Sequence, residues 1–157
     1  MNMESSRSVR VLYAEDVRFE ISGQISIIGV FPDGITAANF PLVIPKFAIY
    51  VEIGIPVDEP VKTLNFSITT DDGVSLVDQN FPPEVLSQQE TLSKTLDFEG
   101  LTEKKIGIRT QFFLTPLHLE RPTILRAKIT TEKGDVFAQA LKVRQGSPAI
   151  QVMQVAQ

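Results

Sequence analysis

Alternation of apolar and polar residues with a period of two runs through most of this chain and constrains its fold more than any other feature. In the stretch 46–55, KFAIYVEIGI, every second residue from Phe47 to Ile55 is large and apolar. Successive side chains of a β-strand point to opposite faces, so this pattern predicts a strand with one buried face. A strand is also predicted in LSKTLDF at 92–98. Helical periodicity is scarce, and only the residues after Pro83 are expected to form a single helical turn.

About eight or nine segments alternate in this way, and typical turn sequences such as DDG at 71–73 and EKGD at 132–135 separate them. This spacing is characteristic of all-β sandwiches and barrels. A chain of 157 residues is long enough for one domain with a substantial core. We therefore divide it into a flexible N-terminus at 1–8, a β-domain at 9–144 and a tail at 145–157.

A charged residue interrupts the first predicted hairpin, VLYAEDVRFEISGQISIIGVF. The turn SGQ would pair Ile21 with Ile25 and Val17 with Gly29. A regular pleat would then direct Glu15 into the apolar face, where an unpaired carboxylate is very costly. We therefore expect a β-bulge around Glu15, with Gly29 tolerating the tighter bend. The alternative is that this bend holds a carboxylate ready to bind a ligand.

The same hairpin carries a resemblance to a known family. AEDVRFEISGQISIIGVF resembles the N-terminal hairpin of an uncharacterised family of small bacterial and phage proteins, with matches at Asp16, Gly23 and Gly29. FPLVIPKFAIYVEI is similar to the continuation of that hairpin, so the resemblance covers about the first third of the chain. It implies a single immunoglobulin-like antiparallel β-sandwich of about eight or nine strands, with at most one short helix. It implies no activity.

Composition excludes several functions. The chain has no cysteine and a single histidine, which rules out disulfides, thiol nucleophiles and histidine-rich metal sites. A net charge of −4 argues against nucleic acid as a partner. No stretch is apolar enough to cross a membrane or to act as a secretory signal, so a cytoplasmic protein is expected. Residues 1–103 contain 16 acidic and 6 basic groups, whereas residues 104–157 contain 3 acidic and 9 basic groups. Either strands from the two parts lie side by side and neutralise each other, or the surface is polarised.

Catalytic motifs are absent from the sequence: it contains no phosphate-binding glycine loop, no GxSxG and no HExxH. We expect no cofactor and no metal, because an acidic turn such as TDDG at 70–73 is ordinary hairpin chemistry. His118 could transfer a proton in a hydrolase that uses carboxylates, although such a histidine is more often an unspecialised surface residue. Several phenylalanines are expected to face the core, namely Phe19, Phe47, Phe66, Phe112 and Phe137.

These observations favour a non-enzymatic protein-interaction module that binds a protein partner or itself. The tail alternates again after GSP, and we expect Ile150, Val152 and Val155 to be the contacts of an added strand. A loop cluster of Glu15, Asp16 and His118 is a second candidate. The alternatives are a small-ligand-binding or sequestering protein, a hydrolase that uses His118, and a structural component of a phage or particle.

Overall fold

The computed structural model describes residues 7–147, and β-strands dominate this part of the chain. The strands are β1 (Ser8–Ala14), β2 (Asp16–Phe19), β3 (Ile25–Ile28), β4 (Ile35–Ala37), β5 (Leu42–Ile44), β6 (Phe47–Pro56), β7 (Leu64–Thr69), β8 (Ser75–Asn80), β9 (Lys105–Leu114), β10 (Leu117–Leu119), β11 (Thr123–Thr131), β12 (Gly134–Phe137) and β13 (Leu141–Gln145). A short helical segment consists of α1 (Pro83–Leu86) and α2 (Gln88–Thr95). The expected mostly-β fold is confirmed.

Four sheets are present in this region. Three strands form one sheet in the order β1-β6-β9, and the largest sheet has the order β4-β13-β11-β7-β8, with β12 also paired to β11. Two two-stranded sheets are also present: the hairpin β2-β3, and the pair β10-β5, whose strands are far apart in the sequence. The pairing is antiparallel except between β13 and β4, where Val143 lies opposite Ile35 in a parallel ladder. The expectation of purely antiparallel pairing was therefore wrong at this position.

The number of strands exceeds the eight or nine that the sequence predicts, because irregular residues divide long alternating segments and very short strands escape detection. The alternating stretch VFAQALKVR at 136–144, for example, contains the end of β12 and most of β13, with a break at 138–140. Strands β4, β5 and β10 contain only three residues each, which is too few to show a period of two.

The main hydrophobic core contains residues from the two larger sheets. Strand β6 contributes its odd-numbered side chains, from Phe47 to Ile55, all of them fully buried. The largest sheet contributes Phe66, Ile68 and Ile129, also fully buried. Removal of so much apolar surface from water is the principal favourable term for folding, at about 25 cal/mol per Å². A second, smaller cluster lies on the other face of β6, around Ala48 and Tyr50.

Two of the phenylalanines expected in the core are exposed instead. Phe47 and Phe66 are buried as predicted, and Phe112 packs against the core while partly exposed. Phe19, however, is 47% exposed and Phe137 is 66% exposed. Both lie at the last position of a four-residue strand with few neighbours, so alternation alone overestimated their burial.

The first hairpin bends where expected but has a different register. Val17 pairs with Ile27 rather than with Gly29, so the predicted pairing was wrong by two residues. The reason is the turn: Gly23 has a φ of +91° and forms the last residue of the loop, not its centre. In three-residue hairpin loops this last position requires the left-handed conformation that glycine adopts readily. The strand is nevertheless interrupted at Glu15, between β1 and β2, as the expected bend requires.

Helix formation extends beyond the single turn predicted after Pro83. Helix α2 includes most of the LSKTLDF stretch, so the strand predicted at 92–98 was wrong. An i,i+4 ion pair between Glu90 and Lys94 favours the helix on its exposed side. On its buried side, the Gln89 side chain accepts a hydrogen bond from the Val61 N–H (3.0 Å) and donates one to the Val61 carbonyl (2.9 Å). These local contacts are invisible to a pattern of apolar residues.

Arg7 fastens the beginning of β1 to the turn between β11 and β12. Its guanidinium is almost fully buried and donates to the Glu132 carboxylate at 2.8 Å, the Thr131 hydroxyl at 3.0 Å and the Pro60 carbonyl at 2.8 Å. Strand β1 begins at Ser8, immediately before the expected domain start at residue 9. This buried cation, with hydrogen bonds to all three groups, therefore connects the N-terminal end of the described chain to the rest of the fold.

Candidate interaction site

The residues expected to form an added strand, Ile150, Val152 and Val155, lie outside the described residues 7–147. Their role stays a prediction. The loop cluster expected from Glu15, Asp16 and His118 lies within the described region, and its geometry can be followed residue by residue.

Glu15 occupies the bend between β1 and β2 and is exposed. Its N–H donates to the carbonyl oxygens of Ile28 (3.0 Å) and Gly29 (3.1 Å), which joins the two ends of the hairpin. Gly29 has a φ of +69°, and a Cβ there would lie 2.8 Å from the Glu15 carboxylate. The positive φ therefore favours glycine at this position, and a Cβ there would displace the flexible Glu15 side chain.

Asp16 anchors the hairpin through three hydrogen bonds to its carboxylate. Its carboxylate accepts hydrogen bonds from Lys46 Nζ (2.7 Å), Arg18 Nε (2.9 Å) and the Val17 N–H (3.0 Å). The hydrogen bonds from Lys46 and then Arg18 lower the pKa of Asp16 from 3.8 to about 2. Lys46 also lies 5.0 Å from the centre of the Phe113 ring. These contacts tie β2 to the start of β6 and to the end of β9.

His118 lies on a different strand pair from the other two residues, and its place in the expected cluster stays a prediction. It lies exposed in the short strand β10, opposite Val43 of β5, and its Nε2 is 3.0 Å from Glu120. Within residues 7–147 no hydrogen bond or ion pair connects His118 to Glu15 or Asp16.

Several of the basic residues after residue 103 form ion pairs with acids from the earlier part of the chain. Arg109 approaches Glu52 (3.4 Å), Arg126 pairs with Asp71 (3.0 Å), and Lys133 pairs with Glu59. These ion pairs support the first explanation of the charge asymmetry, in which acids and bases from the two parts of the chain lie side by side, over a polarised surface.

The outer face of the β1-β6-β9 sheet has a polar centre around Glu52. The Tyr50 hydroxyl donates to Glu52 at 2.8 Å, and Arg10 and Arg109 approach the same carboxylate at 3.3 and 3.4 Å. Burial alone would raise the pKa of Glu52, but the Tyr50 hydrogen bond and the two arginines lower it below its usual value. Nearby, the Oε1 atom of Gln111 is buried without a hydrogen-bond partner.

The direction of the backbone groups of β9 follows from its pairing with β6. The Val57 N–H donates to the Lys104 carbonyl (3.0 Å), and in an antiparallel ladder every second pair exchanges such hydrogen bonds. Counting from this pair, the even-numbered residues of β9 bond to β6. The odd-numbered residues therefore direct their N–H and C=O groups away from β6, and they are Lys105, Gly107, Arg109, Gln111 and Phe113.

The two edges of this sheet differ. The same count directs Val9, Val11 and Tyr13 of β1 outward. Two of their backbone groups are bonded: the Val11 N–H donates to Gln139 Oε1 (3.1 Å), and the Tyr13 carbonyl accepts from Phe31 N–H (2.8 Å). At the outer edge of β9, no residue between 7 and 147 bonds to the outward backbone groups, although α2 packs near this strand. We call these five odd-numbered positions, from Lys105 to Phe113, the open β9 edge.

Sequence reasoning missed the open β9 edge, although one signal was present. Lys105 and Arg109 lie on the same face of the strand. Charged residues on an edge strand commonly prevent that strand from pairing with other strands at random. Gly107 and Arg109 are exposed, and Phe113 is 39% exposed. The edge is therefore accessible over most of its length to an extended polypeptide.

Other binding features are modest. Within residues 7–147, no group of three or more His, Asp or Glu side chains could hold a metal ion, and no helix is long and apolar enough to cross a membrane. A pocket of about 380 Å³ lies beside β1 and is lined by residues that include Tyr13, Phe31 and Gln139. The Tyr13 hydroxyl donates to the Gln139 carbonyl (2.8 Å), so the wall of this pocket is held in place.

Comparison with known proteins gives a family but no function. Residues 10–143 match the model of a family of unknown function, DUF6941. No curated protein and no solved structure matches this chain. Because the match extends over most of the chain, the protein belongs to this family.

Proposed function

We propose that this member of DUF6941 is a non-enzymatic interaction module that binds an extended polypeptide segment by strand addition to the open β9 edge. The observation that supports this proposal is the row of outward N–H and C=O groups from Lys105 to Phe113, which no residue from 7 to 147 bonds. Each backbone hydrogen bond to an added strand contributes about 0.5–1.5 kcal/mol net. Several such bonds and a few apolar side chains are sufficient for specific binding.

The proposal includes the fold and the location expected from the sequence. The main core is made by residues of both larger sheets, which supports an immunoglobulin-like sandwich comprising one domain at 9–144. A free edge strand in such a sandwich is a natural acceptor for a further strand. The proposal also includes a cytoplasmic location and a protein partner, which is either another protein or a second copy. It involves no nucleic acid, membrane, metal or cofactor.

The test removes one outward N–H without altering the pairing with β6. Gly107→Pro eliminates an N–H that points away from β6, and proline is tolerated at such edge positions. Gly107→Ala is the matched control, because both variants place a Cβ about 3.0 Å from the movable Arg109 guanidinium. Both variants are first compared with the wild type by thermal unfolding, which must give similar midpoints.

Binding is then measured with a random 12-residue peptide library displayed on phage. The proposal predicts that the wild type and Gly107→Ala select peptides with apolar residues at alternate positions, and that Gly107→Pro loses at least ten-fold in affinity for them. Selected peptides that bind Gly107→Pro as tightly as Gly107→Ala would place the binding surface elsewhere. Failure to select any peptide would argue against strand addition altogether.

A small-ligand-binding or sequestering function is the second candidate, supported by the pocket of about 380 Å³ beside β1. This volume falls within the range of about 300–1,000 Å³ that is usual for small-molecule sites. A ligand present at 100 times its dissociation constant would stabilise the fold by about 2.7 kcal/mol. A thermal-shift screen of metabolite-sized compounds therefore distinguishes this function from strand addition, provided that the hit still binds Gly107→Pro.

A further inference from the structure

We propose that the segment that pairs with the open β9 edge is residues 148–157 of a second copy of this chain, so that copies associate head to tail. This inference rests on the proposed function, since it names the partner for the same edge. It is supported by the exposed inner side of β9, by the sequence of the segment, by the charges along the edge and by the position of β13.

The inner side of β9 has room for another apolar strand. Ile108, Phe112 and Leu114 pack against the main core yet stay partly exposed, because no described strand lies beyond β9. An added strand with apolar residues at every second position would cover them, since such residues share one face. The hydrophobic gain would add to the backbone hydrogen bonds of the edge.

Residues 148–157, PAIQVMQVAQ, have the composition that this edge requires. The segment carries no charged side chain. Ile150 and Val152 are two positions apart and would share the inner face of an extended strand, whereas Val155 would lie on the outer face with Gln151. The three apolar residues expected from the sequence to be strand contacts thus serve both faces of the added strand.

A second β9 fits the edge less well than this segment does. Antiparallel pairing of two β9 strands about a twofold axis centred on Arg109 would bring Arg109 opposite Arg109, and pairing centred on Gly107 would bring it opposite Lys105 of the other copy. Like charges directly opposite each other on neighbouring strands are destabilising. The uncharged segment meets no such repulsion in any register, whereas the edge charges disfavour these two registers of β9 with itself.

The position of β13 favours a second copy over the same chain. Gln139, two residues before β13, bonds to Val11 and Tyr13 at the outer edge of β1. Strand β6 lies between β1 and β9, so the chain enters β13 beside the edge of this sheet that is opposite to β9. An interface between different surfaces of identical copies is heterologous and produces rings or open chains, as a structural component of a particle would require.

The experiment is a complementation test by sedimentation velocity on full-length chains. One variant, Gly107→Pro, has an altered edge and an intact segment, and the other, Val152→Asp, has an intact edge and an altered segment. A carboxylate at position 152 would face the apolar inner side of β9, where it is strongly disfavoured. The controls are Gly107→Ala and Gln151→Asp, the second of which would lie on the outer face beside Lys105 and Arg109.

The proposal predicts oligomers larger than dimers for the wild type and for both controls, and monomers for Gly107→Pro and Val152→Asp alone. An equimolar mixture of the two altered variants forms heterodimers, because it contains one intact edge and one intact segment per pair. Monomers in that mixture, or a wild type that stays monomeric at all concentrations, would overturn the inference. The wild type could be monomeric while library peptides still bind it more tightly than they bind Gly107→Pro. In that case the proposed function survives, and only the identification of the partner as a second copy is wrong.

Discussion

Replacement of Glu132 by glutamine tests how much the ion pair between Arg7 and Glu132 stabilises the fold. The Arg7 guanidinium is 1% exposed and its ion pair with Glu132 is 2.8 Å long, whereas the Glu132 side chain is 22% exposed. The second oxygen of Glu132 accepts hydrogen bonds from the N–H groups of Lys62 (3.0 Å) and Thr63 (3.4 Å). Glu132→Gln therefore leaves a buried cation without its counter-charge while keeping the shape of the side chain.

The magnitude follows from the pKa of this carboxyl group. Burial alone would raise the pKa of Glu132, but the hydrogen bonds from Arg7, Lys62 and Thr63 lower it from 4.5 to about 2. A change of this size corresponds to about 3 kcal/mol at 1.36 kcal/mol per pH unit. Solvent screening at the partly exposed Glu132 reduces the expected contribution to about 2 kcal/mol.

The sign of the pH dependence is fixed by the lowered pKa. A carboxyl group with a folded-state pKa below its unfolded value contributes stability that is present above pH 4.5 and is lost as the pH falls towards 2. Urea unfolding should therefore show Glu132→Gln to be about 2 kcal/mol less stable than the wild type at pH 7. The two proteins should converge as the pH approaches 2. A difference below about 0.5 kcal/mol at pH 7, or one that does not change with pH, would refute this reasoning.

Three further predictions concern the hairpin and β9. Gly29→Ala should lower stability by about 1–2 kcal/mol in urea unfolding, because it combines a positive φ with contact with Glu15, and adding Glu15→Ala should restore only the part due to contact. Asp16→Asn should speed hydrogen exchange in β2 and β3, because the ion pair with Lys46 is lost. Mass spectrometry measures this exchange, and equal rates in variant and wild type would contradict the anchoring role. Gln111→Met should leave stability unchanged or raise it by up to about 1 kcal/mol, because it removes a buried unpaired oxygen; a clear loss would mean that this oxygen has a partner.

Local patterns predicted those elements whose environment is set by their own residues. Strand β6 was predicted correctly because its inner side chains alternate without interruption from Phe47 to Ile55. The bend at Glu15 was also predictable, since a carboxylate cannot enter an apolar face at low cost. The hairpin register was not, because one glycine could occupy either of two loop positions and the pattern of period two accepts both.

Contacts between distant segments set the rest of the structure, and the sequence does not specify them locally. The surroundings of His118 could not be predicted because the partner of its strand is β5, a three-residue strand that no periodicity reveals. The open β9 edge was missed because a strand becomes an edge only through the order of strands in its sheet. Lys105 and Arg109 mark this edge in retrospect, but such charges are equally common on exposed faces of central strands.

Residue-resolved hydrogen exchange along β9, measured by NMR on dilute and concentrated protein, tests the central claim most directly. The N–H groups of Ile108 and Thr110 bond to β6 and should exchange slowly at both concentrations. Those of Gly107, Arg109 and Gln111 should exchange rapidly in dilute protein and slowly once a strand has been added, in association or with a selected peptide. Slow exchange of all five in dilute protein, or rapid exchange of the odd-numbered three under every condition, would contradict strand addition at this edge.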